Sequence, residues 1–78
     1  MKAAEYNAVL PQNISQIIGA MGYKQGAVAE RAGLSPREFS DMLNGRRIIK
    51  ALDIIRISKA LGVTPNDLYG FNQPQKSA

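Results

Sequence analysis

The chain contains no cysteine and no histidine among its 78 residues. Without cysteine there is no disulfide framework and no thiol chemistry. Without either residue there is no Ser-His or Cys-His catalytic pair and no His/Cys metal site. The carboxylates are scattered along the chain, so enzyme chemistry has little to build on, and neither a metal nor another cofactor is expected. Long apolar runs are missing too. The N-terminus lacks the apolar core of a signal peptide, and no run approaches the length of a membrane span. The expectation is a soluble, cytoplasmic protein with no membrane partner and no evident small-molecule ligand.

What is present suits one small globular domain. Hydrophobic residues make up 45 % of the chain, within the range of folded proteins, so the chain is read as folded. At this length the core is modest. The formal net charge is +4, which is weak evidence alone, but its placement is informative. Arg46, Arg47 and Lys50 lie close together with no acid among them, a local cationic run suited to a polyanion.

The apolar period predicts helices throughout. Residues 1–12 have no clear period and are interrupted by Pro11, so they read as an N-terminal extension with room for a helical turn before Pro11. From Asn13, a candidate cap, Ile14, Ile17, Ile18 and Met21 recur at helical spacing up to Gly22. A second helix is expected over about 25–32, burying Val28, Ala29 and Ala32 and ending at Gly33. Ser35-Pro36-Arg37-Glu38 is a start signal: serine caps, proline fits the first helical position, and Glu38 completes a capping box. Phe39, Met42 and Leu43 form the buried stripe of this third helix, and Asn44-Gly45 stops it. A fourth helix is expected over about 51–61 with Ile54, Ile57, Ser58 and Leu61 inward. Thr64-Pro65-Asn66-Asp67 repeats the start logic for a short fifth helix through Tyr69, and residues 71–78 read as a flexible tail. The fold class is therefore all-α, a compact five-helix bundle over residues 13–70.

The second and third helices are separated by a very short turn, and helices joined so tightly must cross steeply, as in a helix-turn-helix. Ala29 is small where the two approach, Gly33 suits the turn, and Phe39 and Met42 pin the later helix onto the earlier one. With "KQGAVAERAGLSPREFSDMLNGRR" followed by "IIRISKALGVTPNDLYG", the chain resembles the Cro/lambda-repressor-type helix-turn-helix regulators, the xenobiotic-response-element class. The resemblance runs over about residues 13–69, and its flavour is that of small regulators from prophages and mobile elements. Two residues depart from the family pattern. Leu43 stands where an acid is common, which removes any polar contact made there. Gly26 replaces a helix former, at about 1 kcal/mol relative to alanine in a helix interior.

The resemblance implies double-stranded DNA as the partner and the third helix as the reading element. Helical steps of 100° place Arg37, Ser40, Asp41 and Asn44 outward together. Pro36, Arg37, Ser40 and Asp41 are then the candidate base contacts, with Arg37 suited to guanine N7/O6 and Asp41 to cytosine N4. From spacing alone Arg37 and Asp41 could equally form a surface pair. By resemblance Gln25 clamps a phosphate, though it also reads as a solvated helix end. Asn44, Arg46, Arg47 and Lys50 are further candidate phosphate contacts; the alternatives are an Asn-Gly turn and a solvated loop. Lys24 is a weaker one. Ile48, Ile49, Leu52 and Ile55 exceed what one face of the fourth helix can bury, so they either form a homodimer surface or pack on the first helix or the extension.

The function implied is a sequence-specific transcriptional regulator, bacterial or phage-encoded, repressing by operator occupancy, in a family whose members often dimerise on two half-sites. The competing class is a protein-interaction module such as an antitoxin or a small phage regulator. A long apolar tail or a neutral reading face would favour that class, and the polar tail and Arg37 weigh against it.

Overall fold

The computed structural model describes the backbone of residues 3–71 and the side chains of residues 7–71. Five helices follow in order: α1 (Ala3–Met21), α2 (Gln25–Arg31), α3 (Pro36–Leu43), α4 (Ala51–Leu61) and α5 (Pro65–Tyr69). No strand occurs among the described residues. Each helix ends at a glycine in the left-handed region, as Gly33 (φ 73°) and Gly45 (φ 78°) illustrate. There the glycine N–H and the next N–H turn back onto the last helical carbonyls, a termination that side chains with a Cβ resist.

The core is one cluster drawn from every helix. Leu10, Ile14, Val28, Ala29, Phe39, Met42, Ile57 and Leu68 are essentially without solvent contact. α1 packs on α3 and α5, α4 packs on α2 and α5, and α2 packs on α3. The expected inward residues of α4, Ile54, Ile57, Ser58 and Leu61, are all buried.

The first helix departs from the sequence expectation. It starts at Ala3 and runs unbroken through Pro11, so the described part of the expected extension is helix, and Asn13 lies mid-helix instead of capping it. An internal proline costs about 3 kcal/mol through its missing N–H and its clash with the preceding turn. Burial of Leu10 and Ile14 contributes about 1.5–3 kcal/mol each against that cost. Two asparagines add long-range ties. Asn7 Nδ2 donates to the Ile49 carbonyl at 2.8 Å, and Asn13 Nδ2 donates to the Leu68 carbonyl at 2.9 Å. At the other end of α1, Met21 is exposed, not inward. The expected tail, residues 71–78, lies outside the described residues beyond Phe71.

Candidate nucleic-acid interface

The reading helix is set by its own first turn. Ser35 Oγ accepts from the Glu38 N–H at 3.0 Å, and Glu38 Oε1 accepts from the Ser35 N–H at 2.9 Å. This is the reciprocal capping box expected from sequence, with Pro36 at the first helical position. Phe39 and Met42 are fully buried and Leu43 is half-buried, so the opposite face of α3 is fixed outward. Arg37 and Asn44 are exposed, and Ser40 and Asp41 half-buried. Asn44 Nδ2 donates to Ser40 Oγ at 3.3 Å, tying the end of this row together. Pro36 is exposed beside Arg37 at the N-terminal end of α3.

The basic residues follow at once. Gly45 turns the chain, and the N–H groups of Arg46 and Arg47 both donate to the Asp41 carbonyl, at 2.8 and 3.2 Å. The linker is thereby anchored to the end of α3, with the side chains of Arg46 and Arg47 exposed. Lys50 is the exposed N-cap residue of α4, where its N–H donates to Asp53 Oδ2 at 3.0 Å. Gln25 is exposed at the first position of α2. The geometry is thus an outward polar row on a capped helix, flanked by cations on an anchored linker.

The charge pairing that forms is one that spacing did not suggest. Among the described residues no ion pair joins Arg37 to Asp41. Instead Arg47 pairs with Glu38, its guanidinium 3.6 Å from Oε2. The Glu38 carboxyl is held below the ordinary glutamate range, chiefly by the Ser35 backbone N–H and then by the Ser35 side chain, with the charges of Arg47 and Arg56 adding to it.

The apolar excess divides. Ile49 is 2 % exposed and belongs to the core, its carbonyl held by Asn7, so it drops out of the candidate dimer surface. Ile48, Leu52 and Ile55 remain 70 %, 56 % and 47 % exposed. Sequence also gave no sign of the open groove of about 560 Å³ between α1 and the α3–α4 linker, where Ala8, Pro11 and Ile48 meet Arg46 and Arg47. Among the described residues no group of three His, Cys, Asp or Glu could hold a metal ion. No described helix is long and apolar enough to cross a membrane.

A helix-turn-helix family model, HTH_3, matches residues 12–68. The chain belongs to the Cro/C1-type helix-turn-helix family. Membership of this helix-turn-helix family makes it a DNA-binding regulator of transcription, of a class that is generally non-enzymatic, with double-stranded DNA as its partner. Among solved structures, the restriction-modification controller protein C.AhdI from Aeromonas hydrophila superposes with a TM-score of 0.75 and 23 % identity, covering 83 % of this chain and 97 % of that chain. This likeness fixes the fold as lambda-repressor-like. No curated protein sequence matches significantly.

Two features, one at the site and one in α1 behind it, escaped sequence reasoning for different reasons. The Glu38–Arg47 pair spans nine residues across a turn, a separation that no helical spacing rule reaches. The burial of Leu10 did have a signal. Leu10, Ile14 and Ile18 repeat every four residues, but Pro11 masks the row's first step.

Proposed function

We propose that this protein represses transcription by binding a specific operator and excluding polymerase from it. The observation that carries this reading is the outward row of Arg37, Ser40, Asp41 and Asn44 on a helix whose other face is buried. Arg37 takes the N7 and O6 of a guanine, Asp41 accepts from a cytosine N4, and Pro36 and Ser40 line the same base edges. Gln25, Asn44, Arg46, Arg47 and Lys50 contact phosphates, fixing register without reading sequence. Such a role belongs in the cytoplasm of a bacterium or of a phage-infected cell.

The test is Arg37→Ala on an operator selected from random duplexes. Arg37 is exposed and is not part of the core cluster, so the melting temperature stays nearly constant. Operator binding weakens by about 1–3 kcal/mol, random DNA is bound almost as before, and preference relaxes at one base pair per half-site. Equal loss on every sequence makes Arg37 a phosphate contact and removes it from reading.

The exposed Ile48, Leu52 and Ile55 support a homodimer, the arrangement that two half-sites require. Leu52→Lys then lowers the sedimenting mass at micromolar protein while the circular dichroism is retained. A wild type that sediments as a monomer at high concentration excludes this surface as a dimer contact of the free protein. The face then fits a partner of another kind, as in the interaction-module reading.

A further inference from the structure

Arg47 is offered to phosphate by its place in the linker, yet in the free protein it already has an anion. Both ends of that contact are held. Glu38 cannot swing away freely, because Oε1 is engaged by the Ser35 N–H at 2.9 Å within the capping box. Arg47 cannot drift far either, because its own N–H is bound to the Asp41 carbonyl at 3.2 Å. The second carboxylate oxygen is left for the guanidinium, 3.6 Å away, with both side chains close to half exposed. A carboxylate fixed this way presents the guanidinium with what a phosphodiester presents, an anionic oxygen at the protein surface. Glu38 is ionised at neutral pH like any glutamate, its carboxyl held below the ordinary range chiefly by the Ser35 backbone N–H, and Arg56 from α4 adds a second cation to its surroundings.

We propose that the Glu38–Arg47 pair is an autoinhibitory contact, in which the Glu38 carboxylate occupies Arg47 in place of DNA and must be displaced when Arg47 takes a phosphate. This inference rests on the DNA-binding reading above and deepens it. An exposed ion pair is weak, so the effect is a modest setting of affinity and not an on–off switch. It acts on operator and random duplex alike, because phosphate contacts carry no sequence.

The decisive variant is Glu38→Gln. Glutamine keeps an acceptor for the Ser35 N–H and so keeps the capping box, while the charge that holds Arg47 is gone. Binding to a fluorescent operator duplex and to a random duplex is measured by anisotropy at low salt, for wild type, Glu38→Gln, Arg47→Ala and the double variant. Glu38→Gln is expected to tighten both duplexes roughly 1.5- to 5-fold, the range of an exposed pair. In the Arg47→Ala background the same change is expected to do nothing, since the coupling resides in the pair. Tightening that persists without Arg47 means that Glu38 merely repels DNA or acts through Arg56, and overturns the proposal. Weaker binding by Glu38→Gln makes the pair a positioning brace, and also overturns it. A wild type that binds neither duplex at low salt sinks the DNA-binding reading itself along with this one. Should Glu38→Gln disturb the fold, the Arg47 Nε–Hε resonance of the wild type decides: it shifts on addition of duplex if Arg47 changes partner, and an unmoved resonance refutes the displacement.

Discussion

Residues 33–39 (GLSPREF) and 62–68 (GVTPNDL) are the same device built twice. In each, a glycine at φ 73° closes the preceding helix. The next residue's N–H reaches back to a helical carbonyl at 2.9 Å, Leu34 to Ala29 and Val63 to Ser58. A hydroxyl residue then caps, proline takes the first helical position, and an acid at the third completes the box. The fourth helical residue, Phe39 or Leu68, is fully buried. What differs is the outward cargo. The first copy presents Arg37 and leads through Asn44 to Arg46, Arg47 and Lys50, whereas the second presents Asn66 and ends at Gly70 after one short helix. Local chemistry therefore makes two equivalent helix starts, and only the residues left facing solvent make one of them a reading element.

Three substitution experiments separate the shared device from the unshared cargo. The largest effect is expected in the core. Phe39→Ala should lose about 3–5 kcal/mol and Leu68→Ala about 2–5 kcal/mol, by lost burial and the cavity left behind, measured by urea unfolding. If one of the two costs less than 1 kcal/mol, the copies are not equivalent anchors.

The caps come next. Ser35→Ala and Thr64→Ala should each cost about 1 kcal/mol. Their consequences should then part. Ser35→Ala leaves residue 35's N–H on Glu38 Oε1 but removes the hydroxyl that accepts from the Glu38 N–H, so it loosens the start of the reading helix and changes operator affinity beyond what the stability loss explains, whereas Thr64→Ala leaves the affinity of the folded protein unchanged. Matching affinity changes in the two variants would erase the functional distinction between the copies.

The smallest effect is electrostatic. The Glu38 carboxyl is depressed in the folded protein, so the stabilisation it supplies is full above the unfolded glutamate range and is lost as the pH falls through the folded value. On acidification below that range the wild type should lose slightly more stability than Glu38→Gln, read as converging melting temperatures. Parallel acid profiles would show that Ser35, Arg47 and Arg56 add nothing to Glu38 in the folded state.

Most of the architecture was legible because its signals are local. Capping boxes, glycine stops and the stripe of Phe39 and Met42 each lie within a few residues of one another, and the structure has them where spacing predicts. The outward placement of Arg37 and Asn44 followed from the same periodicity. What was not legible depends on residues far apart. Asn13 looked like a cap because nothing near it announces the Leu68 carbonyl that it serves. Pro11 looked like a boundary because its local penalty is visible in sequence and the burial that outweighs it is not. Ile49 and Ile48 are neighbours with equal hydropathy, yet one enters the core, with its carbonyl held by Asn7 from α1, and the other faces solvent.

The tie between Asn13 and the Leu68 carbonyl also bears on how the chain is made. It closes a loop of 55 residues, so the row of Leu10, Ile14 and Ile18 has no complete lid until α5 has been synthesised. At about 5–20 residues per second, the fifty or so residues between Ile18 and Leu68 take several seconds to add. Throughout that interval the apolar stripe of the nascent α1 is at most partly covered, by α3. Closure of this small helical domain is therefore expected only after α5 has been synthesised, with α1 waiting for that helix.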